Sequence, residues 1–128
     1  WDKVLDFEGE TAPYLQYTNA RINSLIEKSK QKVTDKIDFS ELKNEAEIIK
    51  KLGTFNEILV QAYNNYKPHI IARYLIELAQ MFNAYYQNVP ILKQGKKTTT
   101  ARLFVAQSVS QVLKNGLNLL GIGSPQEM

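Results

Sequence analysis

Apolar residues recur along most of this chain at the spacing of an α-helix, and no stretch of strand length alternates apolar with polar residues. The period is strongest behind Pro68, a residue that suits the first turn of a helix. The residues that carry it are Ile71, Tyr74, Leu75, Leu78, Phe82, Tyr85 and Tyr86. Because spacings of three and four place these side chains on one face, the segment is predicted to be the core helix of an all-α fold.

Three further helices are predicted before the core helix. The first covers roughly residues 13–32, and the second runs from a cap at Asp38 or Ser40 to Gly53. The residues expected to form the buried stripe of the second helix are Leu42, Ile48, Ile49 and Leu52. The third helix follows Thr54 and has a length of about three turns. Its apolar residues at helical spacing are Phe55, Ile58, Leu59, Ala62 and Tyr63.

A fifth helix is predicted from a cap at Thr99 or Thr100 to a left-handed terminator at Gly121. The segment before it, residues 90–100, begins with Pro90 and contains three lysines, so it is predicted to be a basic loop. The chain as a whole is therefore predicted to be a single helical bundle of about five helices.

The size of the chain fits one domain. It has 128 residues, 44% of them hydrophobic, which is enough for a core that needs no disulfide. We expect one domain over 1–128 with an N-terminal loop over 1–12. Because there is no cysteine and no apolar run of membrane-spanning length, we expect a cytoplasmic protein with no thiolate metal site and no membrane contact. The start, WDKVLDFEGE, has neither an initiating Met nor signal-peptide features, as expected for a piece of a longer chain.

The first helix is predicted to carry two stripes of side chains. The apolar stripe consists of Leu15, Ile22, Leu25 and Ile26. The second stripe lies about 100° away around the helix. Its members are Tyr14, Tyr17, Arg21, Ser24 and Lys28. The tyrosine rings are therefore expected at the edge of the core, partly exposed and next to two cations.

Two interpretations fit this second stripe. In the first, the tyrosines pack half-buried and the Arg21 guanidinium rests on a ring as an intramolecular cation–π pair. In the second, unpaired RNA bases stack on the rings while their phosphates meet the cations, with each stacked base worth roughly 1 to 3 kcal/mol. The spacing of the residues leaves both open.

At FEGETAPYLQYTNARINSL the sequence resembles the start of the DALR-type anticodon-binding domain of arginyl-tRNA synthetases. The matching residues there are Phe7, Glu8, Gly9, Glu10, Thr11, Pro13, Tyr14, Leu15, Gln16, Tyr17, Ala20 and Arg21. Further matches follow in the family's order as Pro68, His69, Ala72, Tyr74, Leu75, Phe82, Tyr86 and Ala101 to Leu103. The last matches are Leu117, Leu119, Leu120, Gly121, Ile122, Pro125 and Met128. The resemblance therefore spans nearly the whole chain.

The resemblance implies a module that grips the anticodon stem-loop of arginine tRNA and favours cytosine at the middle anticodon position. It places Tyr14 and Tyr17 at the edge around the anticodon and Arg21 in its polar contacts. Tyr86 would belong to the base pocket, and Met128 to a pocket wall formed by the chain end. The second stripe of the first helix contains three of these residues, so the RNA interpretation is favoured.

The resemblance also implies an enzyme, arginine–tRNA ligase, as the parent of this chain. The parent would use ATP with Mg²⁺, whereas this segment would hold no cofactor and would pack against its own catalytic domain. The nucleotide-binding signatures H-I-G-H and K-M-S-K-S are absent from the 128 residues, so no catalytic residue is predicted here. His69 is the only histidine and is predicted to have a structural role in a first helical turn. No spacing of His, Cys or acidic residues indicates a metal site.

The lysines of the basic loop, Lys93, Lys96 and Lys97, have two interpretations. They either contact the phosphates of the anticodon stem or simply keep the surface solvated. The net charge of +3 permits polyanion binding but does not argue for it. Two alternative functions also remain open at this point: a helical protein-interaction module that docks through the same aromatic flank, and an anticodon-binding domain of another class I synthetase.

Overall fold

Five α-helices account for most of the residues that the structure describes. The computed structural model describes residues 11–29, 40, 42, 44–92 and 95–121, and no strand occurs among them. The all-α fold class predicted from the apolar period is therefore confirmed. The described helices include none that is both long and apolar enough to cross a bilayer.

The helices follow one another with short connections. They are α1 (Ala12–Ser29), α2 (Ala46–Gly53), α3 (Phe55–Asn65), α4 (His69–Asn88) and α5 (Lys96–Leu119). A single residue separates α2 from α3, so these two short helices follow one another directly on the outside of the bundle. Each predicted helix has a counterpart in this order, and the last three predicted residues of the first helix, 30–32, lie outside the described residues.

The core is built around α4, which contacts each of the other four helices. Leu75, Leu78 and Phe82 on its inner face have no solvent exposure. The buried residues of α1 and α5 pack against them, among them Leu15, Ile22, Val109, Leu113 and Leu117. The prediction that α4 is the core helix is therefore confirmed.

Two helices begin at other residues than predicted. The second predicted helix starts at Ala46, well after Ser40, because the buried carboxylate of Glu45 takes the backbone N–H of Asn44 that a longer helix would use. The fifth starts at Lys96, so Thr99 and Thr100 lie inside its first turns instead of capping it. The N-cap is the preceding glycine, whose carbonyl accepts the Thr99 N–H at 2.9 Å. The segment predicted as a loop over 90–100 is therefore a shorter connection.

One side chain expected in the buried stripe of its helix is exposed instead, and so is one that is placed only by its helical spacing. Ile49 on α2 and Tyr63 on α3 both face solvent. Because α2 and α3 lie on the outside of the bundle, only one narrow face of each helix is covered, and Ile48, Phe55 and Ala62 occupy it. By contrast, the predicted terminator Gly121 does adopt the left-handed conformation, with φ +79°.

Gly116 marks the closest approach of α5 to α4 and provides a test of this packing. A Cβ atom at Gly116 would lie 2.6 Å from both terminal methyl carbons of Leu75, which is itself fully buried. We expect Gly116→Ala to lower the free energy of unfolding by about 1 to 3 kcal/mol through overpacking. Gly53→Ala is the matched control, because a Cβ atom there meets nothing within 4 Å. It should be neutral or stabilise by up to about 1 kcal/mol.

Urea unfolding, followed by far-ultraviolet circular dichroism, measures the free energy of unfolding of both variants. Equal midpoints for Gly116→Ala and Gly53→Ala would contradict the close contact between α4 and α5.

Candidate nucleic-acid interface

The guanidinium of Arg21 lies between two tyrosine rings on the surface of α1 and α4. Its central carbon is 5.0 Å from the centre of the Tyr17 ring and 4.8 Å from that of Tyr86. Tyr14, Tyr17 and Tyr86 are exposed by 36%, 49% and 38%. The expectation of partly exposed rings beside a cation at the edge of the core is therefore confirmed. The intramolecular cation–π contact of the first interpretation is thus present, and both rings still keep part of their surface exposed.

Asn83 on α4 connects the side chains of this stripe. Its Oδ1 accepts a hydrogen bond from Arg21 Nη1 at 2.9 Å. Its Nδ2 donates to the Tyr14 hydroxyl at 2.8 Å and to Thr18 Oγ1 at 3.0 Å. The two amide protons and the amide oxygen thus all have partners on α1. Arg21 Nη2 also donates to the Tyr17 hydroxyl at 2.9 Å, so the stripe is held in one arrangement before any ligand arrives.

Asn83 is the residue of this site that sequence reasoning missed. Its three partners are more than 60 residues away along the chain, so no local pattern indicates the contact. One indirect signal exists. Asn83 lies three residues before Tyr86 on a largely apolar helix, and a polar residue at that position shares a face with Tyr86.

The direction of α1 relative to α4 explains why these residues meet. Tyr14 and Thr18 bind Asn83, whereas Leu25, later in α1, borders a cleft together with Tyr86 and residues 89–92 of the following connection. The two helices therefore run side by side in the same direction. The contacts of α1 thus proceed from Asn83 to Tyr86 and then to the connection after α4.

Two concavities flank Tyr86. The larger is a groove of about 490 Å³ with two cations in its lining. Its lining residues are Tyr17, Ala20, Arg21, Ser24, Leu25, Lys28 and Tyr86. The smaller is a cleft of about 280 Å³. It is lined by Leu25, Tyr86, Val89, Pro90, Ile91 and Leu92. Aromatic, cationic and apolar surfaces thus adjoin within one region, which suits bases and phosphates together.

Of the predicted site residues, Tyr14, Tyr17, Arg21 and Tyr86 converge on this one surface. Lys97 is exposed in the first turn of α5. Met128 and Lys93 lie outside the described residues, and so does the side chain of Lys96. Their roles stay predictions.

A second groove, of about 550 Å³, differs chemically from the first. It is lined by Leu59, Ala62, Tyr63, Tyr66, Pro68, Ile71 and Leu119, none of which is charged. Tyr63 and Tyr66 are 81% and 90% exposed, and Tyr66 has a left-handed backbone with φ 51°. Because Ile71 precedes Tyr86 by 15 residues, this groove lies about 22 Å away along α4. Without cations in its lining, it offers no partner for a phosphate backbone.

Catalytic and metal chemistry have little support in the described part of the chain. His69 is the first residue of α4, in the first-turn position expected for it. Among the described residues, no cluster of three His, Cys, Asp or Glu side chains is placed to bind a metal ion.

Comparison with known proteins identifies the family of this chain. The family model of the DALR anticodon binding domain matches residues 15–128. An arginine–tRNA ligase of Thermococcus kodakarensis is 43% identical over the whole chain, which covers 21% of that protein. One of Halothermothrix orenii is 44% identical, again over the whole chain and over 23% of the relative. The chain thus spans less than a quarter of the length of these two relatives.

A solved structure with the same fold supports the same family relationship. The arginyl-tRNA synthetase of Thermus thermophilus superposes with a TM-score of 0.86 over 95% of this chain and 22% of that one, at 35% identity. A match to most of the chain by the family model, together with this agreement in fold, establishes the relationship. This chain belongs to the DALR anticodon binding domain family.

Proposed function

We propose that this chain binds the anticodon loop of arginine tRNA as the anticodon-binding domain of an arginine–tRNA ligase. The observation that carries the proposal is the Arg21 guanidinium held between the half-exposed rings of Tyr17 and Tyr86. Unpaired bases stack on such rings, and the adjacent cations Arg21 and Lys28 supply charge for the phosphates between the bases. The relatives' name supports arginine tRNA as the ligand.

The fixed geometry of the site supports binding because it lowers the entropy lost on association. Asn83 already holds Tyr14 and Arg21 in place, so few side-chain rotamers have to be ordered when RNA arrives. Arg21 uses one nitrogen for Asn83 and the other for Tyr17. Its charge, which no described carboxylate neutralises within ion-pair distance, remains available to an RNA phosphate.

The catalytic reaction belongs to the rest of the parent protein in this proposal. The chain covers about a fifth of its relatives, which are ligases by name. Activation of arginine with ATP and Mg²⁺, and the transfer of arginine to the tRNA, would take place on a catalytic domain in the same polypeptide. The parent would work in the cytoplasm, where its tRNA substrate is charged. This domain would contribute tRNA selection, and its preferred base at the middle anticodon position would be cytosine.

The first prediction concerns the stacking surface. We expect Tyr17→Ala to weaken binding of an arginine tRNA anticodon hairpin by about tenfold at low salt, because one stacking ring is removed. Tyr63→Ala is the matched control, since Tyr63 is a more exposed tyrosine in the apolar groove on α3. It should leave the affinity unchanged. Fluorescence anisotropy of a labelled hairpin measures both, and equal effects of the two variants would contradict the placement of the RNA site.

The second prediction concerns charge. If the lysines at the start of α5 bind the anticodon stem, Lys97→Ala should reduce the salt dependence of log Kd by about 0.7 to 0.9 for each phosphate that is no longer neutralised. Lys114→Ala removes the same charge about 25 Å further along α5 and serves as the control. Replacing Lys93, Lys96 and Lys97 together should flatten the slope further. If the Lys97 and Lys114 variants have identical slopes, the lysines at the start of α5 do not contact RNA phosphates and only keep the surface solvated.

Salt dependence also separates RNA binding from the alternative of protein docking through the same aromatic flank. RNA affinity should fall steeply as salt rises, whereas an apolar protein contact should be maintained or strengthened.

The third prediction concerns tRNA identity. Replacing cytosine at the middle anticodon position of the hairpin by each other base should weaken binding by about tenfold, because hydrogen bonds to the edge of cytosine would be lost. Stronger binding to a hairpin from another tRNA would assign the domain to a different class I synthetase.

A further inference from the structure

Arg102 on α5 joins three segments that are distant in sequence. Its Nε donates to Glu45 Oε1 at 3.2 Å, and its Nη1 donates to the carbonyl oxygen of Pro90 at 2.6 Å. The other Glu45 oxygen, Oε2, accepts the backbone N–H of Asn44 at 3.0 Å. One guanidinium thereby connects the residue before α2, the connection after α4, and α5 itself.

This cluster is almost completely shielded from water. The Glu45 side chain has no exposure and that of Arg102 has 11%. The Tyr85 hydroxyl is buried nearby without a hydrogen-bond partner among the described residues. Burial raises the pKa of Tyr85 well above its usual value, and the Glu45 carboxylate raises it further. A carboxylate in such surroundings needs its cation, so Arg102 is held firmly in position.

The bond to Pro90 is the part of this cluster that reaches the RNA surface. The helix α4 ends at Asn88, and Val89 is already extended, with φ −122° and ψ 117°. Proline has no backbone N–H to donate, so its own bonding to the rest of the fold depends on the carbonyl that Arg102 holds. Pro90 and its neighbours form one side of the cleft that Tyr86 also borders.

We propose that Arg102 is a positioning residue for tRNA recognition, which fixes Pro90 beside Tyr86 so that a base stacked on Tyr86 is enclosed on a second side. The inference rests on the proposed function, because it assumes that Tyr86 receives a base. Arg102 itself does not touch the RNA. Its effect is geometric: the guanidinium fork bonds Glu45 with one nitrogen and Pro90 with another.

The test removes single bases from the hairpin while the protein is varied. Hairpins with an abasic site at each loop position in turn are compared with the intact hairpin, which gives an affinity penalty for each base. Tyr86→Ala identifies the position at which the base stacks on Tyr86, because the penalty there should disappear. Every protein variant is first shown to be folded by circular dichroism at the assay temperature.

Arg102→Lys is the decisive variant. Lysine keeps a positive charge beside Glu45 but lacks the fork that can bond two separate acceptors in fixed directions. We expect the affinity for the intact hairpin to fall severalfold and the abasic penalty to shrink at the position identified by Tyr86→Ala, because the base keeps its stacking on Tyr86 but loses its second wall. Penalties at the other positions should remain. A merely structural role of Arg102 would lower the affinity for all hairpins by the same factor.

Two additional variants keep the test decisive if Arg102→Lys does not fold. Pro90→Gly leaves the pair of Arg102 and Glu45 in place but loosens the wall, and it should reduce the same penalty. Tyr74→Phe is the stability control, since it removes a hydrogen bond of 2.6 Å to the Lys51 carbonyl elsewhere in the bundle. It should leave every penalty unchanged.

An undiminished penalty in Arg102→Lys or in Pro90→Gly would overturn the inference, as would a Tyr86→Ala variant that affects no single position. The proposed function fails by a different result, in which the unmodified chain does not bind the intact hairpin at low salt or Tyr17→Ala has no effect.

Discussion

The contact between α1 and the second half of α4 is the constraint on which the candidate site depends. Asn83 contributes a single amide that binds Tyr14, Thr18 and Arg21, three residues on successive turns of α1. The amide bonds two members of the stripe, Tyr14 and Arg21, and Tyr86 lies one turn further along α4, against Arg21. A shift of one turn between the helices would separate the guanidinium from one of its two rings.

The parts of this site that lie on one helix could be predicted from the sequence. Tyr14, Tyr17 and Arg21 share a stripe because the period of the α-helix fixes their relative angles, and the apolar residues Leu15 and Ile22 fix which side is buried. The same argument identifies α4 as the core helix. These conclusions need only local geometry, which the sequence specifies directly.

The parts that depend on packing between helices could not be predicted in the same way. The bonds of Asn83 arise from the register of α1 against α4, for which helical spacing contains no information. Tyr63 fits the helical period of a buried stripe, but α3 has only one narrow covered face. The start of α2 differs from its prediction because the buried pair of Glu45 and Arg102 spans 57 residues and holds the backbone before the helix. In each case a tertiary contact overrides a local preference.

The buried pair is informative because stability alone does not explain it. Replacing such a pair by apolar side chains of similar volume is often neutral or stabilising by about 1 to 4 kcal/mol, since two charges no longer have to be removed from water. An apolar pair at these positions would fill the space between α2 and α5 equally well. It could not bind the Pro90 carbonyl, because only a donor with a second nitrogen reaches that oxygen while it holds Glu45. The charged pair thus has directional bonds that an apolar pair would lack, and they extend from the core to the Pro90 carbonyl at the cleft beside Tyr86.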